Sequence, residues 1–328
     1  MAAKENEIRF GLGTMLAAGK PATAVVIKDQ VASLADIVAR YSTPGAAAPL
    51  MRDLLPDWDR WHSWLRGLDL KPSAGEFWQP LGAVKFLPPV QEPNNIFHLY
   101  HNFERPSRVT GRSDPPKAER VLPDVFFGSR SALAGYGDVI YREHGGVQFD
   151  FEVEVTIVIG TPATRVSADK ADEFIAGYTL CNDLTMHFAW WRELRNKSPI
   201  NDNIRMKNFA GYTPMSRVIV PRDLVGDPHD LRVRAWIDDK LHQDARTNAM
   251  LWHMGEAVEY LSYIMTLMPG DLILMGSPAN LPLEPGQKNH GIENGQTISC
   301  EVEKLGRMEN RIEEQSWRQP NEIDIKRN

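Results

Sequence analysis

Cysteine is nearly absent: Cys181 and Cys300 are the only two in 328 residues. That excludes a disulfide-built scaffold and a cysteine-rich zinc site, and it points to a reducing cytoplasm as the expected setting. Basic charge is not in excess either. Lys and Arg number 37 against 43 Asp and Glu, a net charge of −6, so the electrostatic footprint of a nucleic-acid binder is missing. No apolar run approaches the roughly 18 residues that span a bilayer. The N-terminus, Met1-Ala-Ala-Lys-Glu-Asn-Glu, lacks the apolar centre of a secretory signal. There is no fixed-period repeat and no low-complexity tract. No G-x-G-x-x-G, P-loop or G-x-S-x-G stands in the context it needs. What remains, 42% hydrophobic and 24% charged, is the composition of an ordinary globular chain long enough to bury a core.

Two domains are expected, with a boundary in the proline-rich Leu87-Pro-Pro-Val-Gln-Glu-Pro93: a small α/β unit over residues 1–86 and a larger unit over 87–328. In the first, Ala22–Ile27 reads as a strand. Ser33 is placed to cap a helix running to Tyr41. Asp57–Leu68 reads as a second helix with Trp58, Trp61, Trp64 and Leu65 on one stripe, a core pattern rather than an aromatic box. Beyond residue 147 strands dominate: Phe149–Gly160, Gly177–Asn182, Arg217–Val220, Leu231–Ile237, Leu272–Met275 and Thr297–Val302. Met254–Leu267 is the one long helical period among them. The expected class is α+β, mostly β. Arg105 to Arg120 holds five cations and two prolines in a row; it reads as a solvated loop or as a lid over an anionic ligand.

The segment Phe149-Asp-Phe-Glu-Val-Glu-Val-Thr-Ile-Val-Ile-Gly160 carries two carboxylates among core residues. In a strand, Glu152 and Glu154 project from one face, about 7 Å apart at Cα. Adjacent carboxylates repel, and burial is costly unless something positive compensates. A hard divalent cation would do so; the plain alternative is a solvated strand face. Asp183, at the end of the apolar run Gly177–Asn182, either reaches the same place or caps a turn.

These residues resemble a known family. Phe149 to Gly160 is similar to the D-[YF]-E-x-E-x-x-x-[VI]-[IV]-G signature of fumarylacetoacetate hydrolase-like proteins. Gly177-Tyr-x-x-x-Asn182-Asp183 resembles G-[YF]-T-x-x-N-D, and Lys207-Asn-Phe209 through Pro214 resembles K-[SGN]-[FYA]-x-x-[FY]-x-P. Leu267 to Pro278 resembles L-x-P-G-D-x-I-x-x-G-T-P. The resemblance spans about residues 87 to 310. It implies a mixed β-roll catalytic domain behind a smaller N-terminal domain, and a homodimer. It also implies a divalent metal, Mg²⁺ or Mn²⁺ with Ca²⁺ possible, on Glu152, Glu154 and Asp183.

The activity it implies is hydrolysis of a C–C bond in a 2,4-diketo acid or acylpyruvate, of the kind met in aromatic compound catabolism. The alternative on the same scaffold is an oxo-acid decarboxylase or isomerase, and a further one is an inactive oxo-acid-binding homologue. For hydrolysis a base must activate water. His101, with Glu104 on the same face of a helical turn, fills that role; His98 is the alternative base. In a second register, with Asn102-Phe103 as the family's N-Y, no base remains. Lys207 is expected at a substrate oxyanion, with Gly276 and Ser277 at its carboxylate. His187 and Trp190 stand where relatives have Arg and Gln. Gly128 stands where many have Lys, so the pocket trades fixed cations for aromatic surface. Arg192, Arg195, Lys197 and Arg205 are candidates to replace that charge.

Overall fold

The computed structural model describes residues 9–41, 47–72, 77–104, 122–143, 145–188, 203–281 and 291–314. The lid candidate 105–120, Trp190, Arg192, Arg195 and Lys197 lie outside the described residues, as does the side chain of Arg205.

The strand Val153–Ile159 is the centre of the fold. It is buried along its whole length, as its run of β-branched residues requires of a strand covered on both faces. It pairs antiparallel with Ile175–Asn182 on one side and with Leu272–Leu274 on the other. Leu272–Leu274 runs parallel to Ile96–Tyr100, which pairs antiparallel with Asp124–Phe127. In the other direction the sheet continues through Val218–Pro221 to Gly11–Ala17, Lys20–Ile27 and Gln30–Ser33. The N-terminal strands are thus hydrogen-bonded into the same 11-stranded sheet as the signature strand.

Alternation along these strands divides the core. Phe97, Leu99, Val155 and Ile157 pack with Val233, Ala235, Ile298 and Cys300 of a second, five-stranded sheet. Ile96, Val158 and Leu274 face the other way, toward Ile37, Trp58, Trp61 and Leu65 of the N-terminal helices. Ser33 Oγ accepts the Asp36 N–H at 3.0 Å and caps the helix Leu34–Tyr41. Trp58 and Trp61 are buried on the helix Trp58–Gly67, each worth about 1.5–3 kcal/mol of burial. The tryptophan stripe is core. Strands outnumber helices throughout, so the class is α+β, mostly β. Among the described residues no helix is long and apolar enough to cross a membrane.

Two local expectations fail. The run 149–160 is two strands, Gly146–Asp150 and Val153–Ile159, with Phe151 and Glu152 between them. The Glu152 N–H donates to Asn182 Oδ1 at 2.9 Å and the Glu152 carbonyl accepts the Asp183 N–H at 2.8 Å. The backbone is thereby tied to the end of the neighbouring strand just after the preceding strand, Gly146–Asp150, leaves its own partner Thr185–Phe188. The second is the helical turn at 101–104. His101 has φ +54 and Phe103 bridges to Met250. The buried Asn102 amide donates to the Trp252 and Met275 carbonyls and accepts the Trp252 N–H. A left-handed residue followed by a clamped extended one cannot continue a helix.

Candidate metal centre

The break at residue 152 still leaves the three acids together. Glu152, Glu154 and Asp183 each offer a ligand atom, all within 4.8 Å of one another, the only such group among the described residues. Glu154 and Asp183 are each 2% exposed; Glu152 is half-buried. Glu154 is delivered by the central strand, Glu152 by the residue before it, and Asp183 by the residue after the adjoining strand.

Lys207, buried on the helix Asn203–Lys207, faces the acids. Its Nζ is 2.6 Å from Glu152 Oε2 and 2.5 Å from Asp183 Oδ2. His98 Nδ1 stands 3.1 Å from the same Asp183 oxygen. Gly276 donates its N–H to Glu154 Oε2 at 2.7 Å. Gly276 has φ +80, and a Cβ there would meet Asn102 Cβ at 2.9 Å; only glycine lets the backbone come this close.

The electrostatics follow from burial and this charge count. Burial pushes the Glu154 carboxyl well above its ordinary range, and the neighbouring Asp183 and Glu152 charges push it further. Burial acts upward on Asp183 too, but the Lys207 ammonium and His98 outweigh it and hold Asp183 at about 2. Burial alone would lower Lys207; the three carboxylates reverse that and raise it. Three acids against one lysine leave negative charge to be neutralised in a dry place. Asp183 Oδ1 is buried and has no partner among the described residues. An all-oxygen set with a free buried oxygen and an uncompensated charge fits a hard divalent cation.

A cavity of about 290 Å³ adjoins the centre, lined by Tyr100, His101, Asp124, Val125, Phe126 and Asn203. His98 pairs with Phe126, and Tyr100 with Asp124, so these four side chains share one face of a hairpin. Asn203 precedes Lys207 by one helical turn, on the same side. The wall that begins at His98 and Lys207 thus continues along the cavity. Asn203 Oδ1 is buried there without a partner among the described residues. Sequence reasoning did not single out Asn203; its spacing from Lys207 was the available signal.

The other expected site residues divide. His101 lines the cavity and packs on Tyr100, ring centroids 3.5 Å apart. Glu104 is exposed, its N–H donating to the Ala249 carbonyl. His187 Nε2 is 3.0 Å from Asp150 Oδ2 on the facing strand. Ser277 is buried beside Gly276. Cys181 is buried with the Thr156 hydroxyl donating to its Sγ, and burial pushes its thiol well up, which suits packing and not reactivity.

The model of the fumarylacetoacetate (FAA) hydrolase C-terminal region matches residues 95–313. The chain belongs to the fumarylacetoacetate hydrolase family. It is 34% identical over 190 residues to the 4-hydroxyphenylacetate degradation bifunctional isomerase/decarboxylase of Escherichia coli, covering 58% of this chain and only 41% of that enzyme. It is 28% identical over 233 residues, 71% of each chain, to a mitochondrial oxaloacetate tautomerase of Bos taurus. A crystal structure of maleylpyruvate hydrolase from Sphingobium sp., in complex with manganese(II) and pyruvate, shares the fold. Its TM-score is 0.68 at 23% identity, over 93% of this chain and 99% of that one. The family is enzymatic, and its relatives here act on small molecules.

Proposed function

We propose that this fumarylacetoacetate hydrolase family member is a divalent-metal-dependent enzyme of enol–keto chemistry on a 2-oxo acid, a tautomerase or decarboxylase. The carrying observation is what the buried centre contains. The acids Glu152, Glu154 and Asp183 meet with the cation Lys207 and with His98, whereas Glu104 is exposed and the segment 101–104 is not helical. Proton transfer or loss of CO₂ needs an electron sink for an enolate and no water-activating pair. Glu152, Glu154 and Asp183 would hold Mg²⁺ or Mn²⁺, which when bound polarises the adjacent carboxylate and keto oxygens of an oxo acid.

Lys207 supplies a fixed positive charge beside those oxygens. Gly276 keeps the backbone close and holds Glu154 through its N–H. Asn203, Tyr100 and Asp124 give the adjoining cavity polar groups for the rest of the substrate. The isomerase/decarboxylase and tautomerase relatives support this reading; manganese with pyruvate in a hydrolase of the same fold supports the metal and the oxo acid, which both readings share.

Hydrolysis of an acylpyruvate C–C bond is the second reading, favoured by His101 at the wall of the same cavity. One experiment separates them. The purified chain is loaded with Mn²⁺ and given oxaloacetate and a series of acylpyruvates. Enol–keto conversion is followed by ultraviolet absorbance, and CO₂ and pyruvate are measured as products. Conversion or CO₂ release that survives His101→Ala supports the first reading. Acylpyruvate cleavage abolished by His101→Ala replaces it with the second.

A further inference from the structure

The position of His98 depends on residue 128. A Cβ on Gly128 would lie 2.2 Å from His98 Nε2 and 3.0 Å from its Cδ2, so no other residue fits beside the ring as placed. Gly128 is not among the glycines at positive φ; its own backbone does not demand glycine. Space for the ring does. Phe126 stacks on the imidazole, centroids 4.6 Å apart and planes 15° from parallel. The Gly128 N–H donates to the Ile96 carbonyl at 2.8 Å and fixes the distance between the two segments. His98 is thus held by Phe126 on one side, Gly128 at its far edge and Asp183 at its near edge.

The two oxygens of Asp183 are used differently. Oδ2 takes Lys207 at 2.5 Å and faces His98 Nδ1 at 3.1 Å. Oδ1 has no partner among the described residues although it is buried. A carboxylate offers only acceptors, so a proton on Nδ1 is the arrangement that attracts Oδ2. The ring meets that oxygen off the ideal donor line, and the contact is a charge–dipole one. It falls on the same oxygen as Lys207, and Oδ1 is the oxygen left without a partner among the described residues.

We propose that His98 is a positioning residue that turns Oδ1 of Asp183 toward the cation site, and that glycine at 128 is the feature of this chain that makes room for it. The inference rests on the metal reading above. It assigns His98 no part in moving protons.

Mn²⁺ affinity of the purified full-length chain, measured by electron paramagnetic resonance titration, tests it. His98→Ala should weaken Mn²⁺ binding about 10- to 100-fold, the usual cost of losing a group that orients a ligand. His98→Asn keeps a donor near the Nδ1 position and should hold within a few-fold of wild type. Gly128→Ala should weaken binding like His98→Ala, by displacing the ring. In the His98→Asn background the same Gly128→Ala change should cost much less, because the atom it strikes is gone. Thermal unfolding of each variant, without metal, confirms that it folds. Wild-type affinity in a folded His98→Ala, or an unrelieved loss in the double variant, overturns the positioning role and leaves the metal reading standing. No Mn²⁺ binding by wild type overturns both.

Discussion

Lys207 and Asp183, 24 residues apart in sequence, meet with Nζ 2.5 Å from Oδ2 in a place where both side chains are almost wholly buried. A buried ion pair is weak evidence for stability, since desolvation consumes most of the attraction. Here the pair does not close the account of charge. Glu152 and Glu154 stand in the same group, so the lysine meets a third of the negative charge that the carboxylates can carry.

Lys207→Met follows from that imbalance. It leaves Asp183 buried without its cation, and removing one partner of a buried pair costs about 3–5 kcal/mol. Urea unfolding without metal should show a loss of that size. Saturating Mg²⁺ should recover a large part of it by binding only the folded state. A variant as stable as wild type without metal would show that the acids are already protonated.

Glu154→Gln should act in the opposite direction. Burial and two like charges press on Glu154, and the amide keeps an acceptor for the Gly276 N–H. The metal-free variant should melt higher than metal-free wild type, and the rise in melting temperature on adding Mn²⁺ should shrink or vanish. Differential scanning fluorimetry with and without Mn²⁺ checks both halves. A lower melting temperature with an undiminished metal response contradicts the placement of Glu154.

Gly276→Ala puts a Cβ 2.9 Å from Asn102 Cβ and 3.1 Å from the Leu99 carbonyl at φ +80. A strained residue of this kind costs about 1–3 kcal/mol, and the Asn102 clamp must shift. The denaturation midpoint should fall and turnover with it. Gly19→Ala, also at positive φ but with nothing within 4 Å, serves as the control for backbone strain without the clash.

The half-buried histidines His62, His229 and His242 give a pH dependence. Burial lowers the pKa of each from 6.5. A lowered histidine pKa means the unfolded chain binds the proton more readily. The stability that goes with the neutral ring is complete above about 6.5 and is lost as pH falls below it toward the folded value. Glu154, with a raised pKa, runs the other way, so the comparison is made against His229→Gln. Between about pH 7.5 and about 5.5, the variant's urea midpoint should fall less than that of wild type. Equal slopes would show that His229 is not protected from protons.

Much of this was legible in the sequence because it is local or periodic. The stripe of Trp58, Trp61 and Leu65 buries as its helical spacing requires. Ser33 caps its helix. The three acids meet because two of them stand at one strand end and the third follows the end of its neighbour. The break at Glu152 was not legible, since it comes from hydrogen bonds to Asn182 and Asp183, a strand away. The helical turn at His101 lost to the Asn102 amide, whose partners are 150 and 173 residues distant. His98 reaches Asp183 only because Ile96–Tyr100 runs parallel to Leu272–Leu274, a pairing no spacing within either segment announces.

The central claim is that Glu152, Glu154 and Asp183 hold a divalent cation. Titration of the purified chain with Mn²⁺, followed by electron paramagnetic resonance, tests it most directly when wild type is compared with the Glu152→Gln/Glu154→Gln double variant. Saturable binding of one Mn²⁺ per chain in wild type, lost in a folded double variant, is the predicted result. Absence of saturable binding in wild type, or the same affinity in both proteins, would contradict it.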